Sequence, residues 1–465
     1  VDLIAYWDPQ NTDGFFDELY SAGNYTWDNT IPPGSAMANT IIALDIIHDE
    51  LTPAQLMTCE SAVEQVSEHY WATYEPHYIG VLGVRCLWAI YCRNWGRLTT
   101  AWKEYKPLYD TYISTNGVGR PGADYTMQRL VVAGRDSKAI IPYVMEYLDL
   151  DHDFFDNEVH KQFAEWAMGY PYTPALKKWC FGDTRGYATS AGEDRASNYM
   201  AFAADRFSEQ AAKQASWLMK DVQPRGRLFN YLFLKEEFAE PEPPKSRIFP
   251  DGGAYFYENI DNPNSIACSM FNLSSEADGH GHKDTNSVSI AGFGETLTAN
   301  SGYAGWQKSS GGFSWNYIND RAISGNTVLI NYDYGDIKNP STKNDHQSKS
   351  GGGITKGFTS ETFDYANGNS GNALPNGTHD RGLVMVAPQD NAGGYFVYLD
   401  KITTEASGNV VTIVHKPMSA NYSELRENEE YNWIVNNDSG HNVNLSVFLA
   451  TKPDNTEIID GVVAG

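Results

Sequence analysis

The sequence predicts an α+β chain in two parts, helical first and antiparallel β-sheet second, and three observations carry that expectation. Apolar residues recur at spacings of three and four through residues 36–235, the helical period stops at an acidic, proline-rich stretch, and short alternating segments rich in Val, Ile, Tyr and Phe follow it. A chain of 465 residues also exceeds what one hydrophobic core usually supports, so two domains are expected, residues 1–238 and 239–465.

In chain order the helical segments are SAMANTIIALDIIHDEL, PAQLMTCESAVEQVSEHYW, GVLGVRCLWAIYCRNW, KAIIPYVMEYLDL and NYMAFAADRFSEQAAKQASWLMKDV. The breakers TNGVGRPG and GYPYTP separate them, and such a succession suggests antiparallel helix pairs stacked around a centre. Residues 235–247, KEEFAEPEPPKSR, have the composition of a linker that folds into neither neighbour. Beyond it FPDGGAYFYENI, NSVSIAGFGETLTANSGY, GNTVLINYDYGD, GGYFVYLDKI, GNVVTIVHKP and NLSVFLATK read as strands of an antiparallel β-sandwich. The Gly-, Ser- and Asn-rich residues 347–377 read as exposed loop.

Composition removes several function classes. No apolar run approaches the ~18 residues of a membrane span. A net charge of -25 and a pI near 4.7 argue against a nucleic-acid partner, because phosphate binding needs clustered Lys and Arg. An anionic substrate would need a local basic cleft on this acidic body. The five cysteines, Cys59, Cys86, Cys92, Cys180 and Cys268, are too scattered for a disulfide scaffold and include no CxxC. There is no GxSxG elbow, no GxxxxGK[ST] phosphate loop and no HExxH pair. GVGRPG, residues 117–122, matches GxGxxG but follows a helical segment and carries Pro121, so it reads as a turn. The chain opens at VDLIAYWDPQ without a methionine or a signal-peptide pattern, as a mature or trimmed chain would; a secreted or periplasmic location is the expectation, though not read from this start.

Residues 279–286 read GHGHKDTN and hold two of only 11 histidines. As a strand this stretch would point His280, His282 and Asp284 to one side, as a metal site or a catalytic surface. Around it lie SRIFPDGGAYFYEN, DGHGHKDTNSVSIAGFGETLTANSGY and SGNTVLIN. In that order, heading an all-β part that follows a helical one, these stretches resemble the heparinase II/III-like polysaccharide lyases. That family's pattern runs from a glycine-containing strand through HxHxD and DSGY to HNTV. The resemblance is dense over residues 245–330 and looser on the helical side. It implies an incomplete (α/α) toroid followed by an antiparallel β-sandwich, and cleavage of a uronic-acid polysaccharide such as alginate, ulvan or a glycosaminoglycan by β-elimination.

That chemistry sets three tasks: neutralise the uronate carboxylate, accept the proton at C5, and protonate the glycosidic oxygen leaving C4. Histidine can accept the proton or, when charged, stabilise the carboxylate; tyrosine suits an alkoxide leaving group. None of these tasks requires a cofactor. On the helical side TYEPHYIGVLG resembles the family's Asn-His segment, with His77 at the histidine position and Pro76 where the amide would stand. NGVGRPGADYTMQRL resembles the segment carrying the catalytic tyrosine, which places that role on Tyr125. The resemblance thus implies Tyr125, His77 and His280 as catalytic residues. Arg129, Arg120 and Gln128 are candidates for holding the substrate carboxylate, a role that a guanidinium fork suits. In CFGDTRGY, Asp183 and Arg185 either line the same cleft or form a structural ion pair. Trp71 and Tyr78, with Trp88, Trp306 and Trp315, are candidates for stacking on sugar rings.

The resemblance makes His282 a candidate zinc ligand. Its companions would be the aspartate of DSGY and the histidine of HNTV, but Asn300 and Gly325 stand at those positions. A structural zinc wants four donors, so a structural zinc is not expected and His282 is expected to hydrogen-bond within the sandwich. Two rivals stay open: an (α/α)-barrel glycoside hydrolase using two of the 59 acidic residues, and a non-catalytic carbohydrate-binding protein of the same architecture.

Overall fold

The computed structural model describes residues 31–72, 78–127, 130, 140–184, 199–222, 233, 238–275, 280–303, 321–332, 347–390, 392–418, 422–423, 430–436 and 442–455. The helical part runs through α1 (Ile31–Ile46), α2 (Pro53–Ala72), α3 (Tyr78–Tyr91), α4 (Trp95–Tyr105), α5 (Pro107–Tyr112), α6 (Ala123–Met127), α7 (Ile140–Tyr147), α8 (Asp153–Asp156), α9 (Glu158–Gly169), α10 (Met200–Arg206) and α11 (Glu209–Leu218). The segment 198–222, which reads as one helix by periodicity, is two. Ser208 breaks it by leaving the helical conformation and accepting a hydrogen bond from the Ala211 N–H, which caps the second helix. Asn94 and Asn157 cap α4 and α9 in the same way. Among the described residues no helix is long and apolar enough to cross a membrane.

Residues 238–246 form no regular element, and Glu242 pins this stretch to α11 through Lys213. Beyond it come β1 (Arg247–Phe249), β2 (Gly252–Tyr257), β3 (Ala267–Asn272), β4 (Ser287–Gly292) and β5 (Glu295–Thr298), one antiparallel sheet in chain order. A second sheet orders β10 (Tyr395–Thr404), β9 (Gly377–Val386), β8 (Phe363–Asn369) and β7 (Ile354–Phe358). β11 (Val411–Ile413) pairs with β6 (Val328–Ile330), and β12 (Tyr422–Ser423), β13 (Glu430–Asn436) and β14 (Asn442–Phe448) form a three-stranded sheet.

The first sheet is buried on both faces. Strand alternation sends Ala254, Phe256, Cys268, Met270, Val288 and Ile290 into a core shared with Ile354, Ala366, Leu383 and Met385 of the second sheet. The opposite face sends Phe249, Tyr255, Tyr257 and Phe271 into the core of the helices. Trp166 of α9 donates to the Tyr255 hydroxyl at 3.1 Å, and the Tyr257 hydroxyl donates to the carbonyls of Tyr170 and Tyr172. The helical part and the first sheet therefore share one hydrophobic core, and each ring buried there contributes about 1.5–3 kcal/mol.

Two expectations need correction. Residues 347–377 are not simply exposed loop, because β7 and β8 lie within them. Their glycines and asparagines serve close packing: a Cβ on Gly368 would fall 2.1 Å from the Asn286 Oδ1. Residues 280–286 are not a strand but an irregular approach and turn that leads into β4.

Candidate active site

Two short loops meet where the helices face the first sheet. GRPG and FGDT pack back to back: the Asp183 N–H donates to the Pro121 carbonyl at 2.8 Å, and the Ala123 N–H donates to Thr184 Oγ1 at 3.0 Å. Gly122 has a φ of +91°, and a Cβ there would lie 2.3 Å from the Phe181 carbonyl oxygen, so only glycine permits this approach. GVGRPG is a turn, as its sequence predicts, with the Gly117 N–H bonded to the Ser114 carbonyl. The approach sets α6, which carries Tyr125, beside Asp183.

The sheet side supplies the histidines. His280 Nδ1 lies 2.6 Å from Asp183 Oδ2, and His282 Nε2 lies 2.7 Å from Asp183 Oδ1. Asp284 accepts the Gly182 N–H at 2.7 Å. Although the segment is not a strand, His280, His282 and Asp284 all face the dipeptide Gly182–Asp183. The His280 ring stacks on the Tyr125 ring, with centroids 3.9 Å apart and planes 21° from parallel. Asp183 and His282 are buried, whereas 21% of the His280 side chain remains exposed, so the imidazole is the part of the cluster that solvent and ligands reach. Asp124, next to Tyr125 in the chain, forms a buried ion pair with Lys178. Burial pushes the Asp284 carboxyl above the ordinary range, against the pull of His282, the Gly182 N–H and the Asn300 amide.

The hydrogen bond described for the His282 ring runs to Asp183, not within the sheets as its sequence context suggests. Its bond crosses to the helical part, because Asp183 reaches it there. Asp183 likewise spends both carboxylate oxygens on the two histidines. Sequence reading undervalued this residue, since 97 residues separate it from His280 and no local signal joins them.

The other sequence candidates divide by position. Arg120 is half-buried; its N–H bonds the Tyr112 carbonyl, and the Tyr112 ring lies 6.2 Å from that of Tyr125. Its buried Nε has no hydrogen-bond partner among the described residues. Trp88 is a core residue, stacked on Tyr91 and hydrogen-bonded to Glu64, so it does not serve as a sugar platform. Trp71 and Tyr78 lie on α2 and α3, and their side chains are outside the described set. His77, Gln128, Arg129, Arg185, Trp306 and Trp315 also lie outside the described residues.

The residues at the expected zinc positions do not fit that ion. Asn300 Oδ1 accepts from the Ser287 hydroxyl at 2.6 Å, and its Nδ2 donates to Asp284 at 2.6 Å. A Cβ on Gly325 would sit 2.8 Å from Ser287 Oγ, so side chains fill the space. The two segments are tied by Lys416, whose Nζ donates to Ser301 Oγ at 2.7 Å and the Ser324 carbonyl at 2.9 Å. Burial brings this amine down to about 8, with Cys180 and Asp284 opposing. Among the described residues no group of three or more His, Cys, Asp or Glu converges on a metal position.

No protein-family model matches the chain, and no curated protein sequence does. Solved structures do. The heparan sulfate lyase HepC from Pedobacter heparinus superposes with a TM-score of 0.63 at 12% identity, over 95% of this chain and 66% of that one. A heparinase III with methylated lysines gives 0.60 at 12% identity, over 94% of this chain and 62% of that one. The fold is thus that of the heparinase-type polysaccharide lyases, helices followed by antiparallel sheets. The chain spans less than two thirds of the length of these structures.

Proposed function

We propose that the chain is a polysaccharide lyase that cleaves a uronic-acid-containing polymer by β-elimination where its helical part meets its first sheet. In that reading the helices form an incomplete (α/α) toroid and the sheets a β-sandwich. The observation that carries it is the stack of His280 on Tyr125, with His280 anchored to the buried Asp183. An imidazole and a phenol in contact at a partly open seam are the pair that C5 proton removal and C4–O protonation need.

Tyr125 serves as general acid and His280 as base, with His77 sharing the proton or carboxylate tasks. The Arg120 guanidinium, half-buried near Tyr112 and Tyr125, binds the substrate carboxylate, which a bidentate fork matches. A local cation of this kind is what lets a chain of net charge -25 accept an anionic polymer. The chemistry needs no metal, and the protein works outside the cytoplasm, where such polymers occur. The heparan sulfate of the neighbouring structures is one substrate to include among the uronans.

The test is incubation with a panel of uronans while following ultraviolet absorbance of the new C4–C5 double bond and, in parallel, reducing ends. Absorbance rising with reducing ends supports the lyase. Reducing ends without absorbance would mean a hydrolase, and neither signal, with retention on an immobilised uronan, would mean a binding protein.

A further inference from the structure

We propose that Asp183 is the positioning residue of this site, fixing His280 in the tautomer that carries its proton on Nδ1 and its lone pair on Nε2. This rests on the lyase reading for its purpose, though not for its geometry. Asp183 is 3% exposed and meets one ring nitrogen with each carboxylate oxygen, His280 Nδ1 at 2.6 Å and His282 Nε2 at 2.7 Å. An ionised carboxylate has only acceptors, so each nitrogen facing it must bring a hydrogen; a lone pair there would oppose a lone pair. Neutral His280 is then basic at Nε2 alone, and neutral His282 at Nδ1.

The loop that presents Asp183 is held independently of the histidines. Its N–H is bonded to the Pro121 carbonyl, Gly182 is bonded to Asp284, and Thr184 Oγ1 donates to the Phe181 carbonyl at 2.6 Å. A carboxylate fixed this firmly orients whatever ring approaches it, as the partner of a basic histidine does in other sites. His282 gives the second oxygen a donor, so Asp183 is satisfied without swinging away from His280.

The consequence for the reaction is a choice between the two roles open to His280. The C5 proton goes to His280 Nε2, the electron pair of the C5–H bond becomes the C4–C5 double bond, the C4–O bond breaks, and the leaving oxygen takes the Tyr125 proton. The imidazolium so formed faces the Asp183 carboxylate, which stabilises it in place.

The experiment uses the full chain labelled with 15N-histidine, with the His280 signals assigned by their loss in His280→Gln. At a pH where the ring is neutral, long-range proton–nitrogen spectra should show Nε2 unprotonated and Nδ1 protonated. Asp183→Asn offers one acceptor and one donor group, so one of the two rings must turn a lone pair toward it. The variant should show a changed tautomer at His280 or His282, and a kcat lower by about 10–100-fold with KM nearly unchanged. Wild-type His280 protonated on Nε2 would overturn the proposal, as would an Asp183→Asn protein with both tautomers and kcat unaltered. The wild-type spectrum needs neither substrate nor a folded Asp183 variant, so it decides the assignment even if no uronan is cleaved.

Discussion

Among the described histidine–aspartate pairs, His379–Asp400 and His280–Asp183 have the same chemical make-up, and their surroundings give them opposite characters. His379 Nε2 lies 2.8 Å from Asp400 Oδ1 inside the sheets, with the histidine fully buried. The Asp400 carboxylate is forked by Arg381, from Nε at 2.7 Å and Nη2 at 2.9 Å. The guanidinium also donates to the Asn286 and Asn326 carbonyls and lies over the Tyr398 ring. Burial alone would raise Asp400, but Arg381 and His379 hold it well below the carboxylate range. That pair is closed. At the seam the Asp183 carboxylate meets two imidazoles, and one of them is partly exposed and stacked on a tyrosine. A histidine beside an aspartate is thus structural or chemical according to whether the ring can be reached, as 21% of the His280 side chain can and none of His379 can.

The sharpest separation is expected from Tyr125→Phe, which removes only the hydroxyl beside His280. Activity should fall by about 10²–10⁴-fold, the usual worth of a general acid. The urea midpoint should move by no more than about 1 kcal/mol of stability. Full activity in this variant would remove Tyr125 from the chemistry.

Asp400→Asn should do the reverse. It leaves Arg381 buried without its counter-charge, at a cost of about 3–5 kcal/mol in urea unfolding, while the activity of the molecules still folded is retained. A loss below about 1 kcal/mol would show that the backbone carbonyls alone satisfy the guanidinium.

A smaller effect comes from pH. Burial lowers His379, against Asp400 and with Arg381, and burial with Arg381 brings His415 down to about 4. Below the unfolded value of about 6.5 the unfolded chain binds protons that these folded histidines refuse. Stability should therefore be fully present above pH 6.5 and decline as pH falls toward 4. Urea midpoints at pH 7.5, 6 and 5 should decrease in that order, and His415→Phe should flatten the slope. The least effect is expected from chelation: prolonged EDTA treatment should change neither melting temperature nor activity, because Asn300 and Gly325 do not provide zinc ligands.

The elements that the sequence revealed and those it concealed differ for physical reasons. Long helical segments such as Pro53–Ala72 and short aromatic-rich ones such as Gly252–Tyr257 carry their signal locally, and both form as expected. The strands Ile354–Phe358 and Phe363–Asn369 were hidden because glycine and asparagine, used there for close packing, imitate loop composition. The segments around His280 and Tyr125 marked both as candidates, and the structure brings their rings together. Asp183 was legible only as a cleft or ion-pair candidate, because its two bonds run to a segment far along the chain and the loop that aims it depends on Gly122 and Gly182. His282 was misplaced for the same reason: its partner lies across the seam, where no periodicity could point.

The most direct measurement compares His280→Gln with His379→Gln on the same uronan, following the absorbance of the unsaturated product and correcting each rate for the folded fraction by circular dichroism. The seam account predicts that His280→Gln loses the signal by about 10²-fold or more while His379→Gln keeps the rate per folded molecule. Equal losses in both, or a surviving rate in His280→Gln, would contradict it.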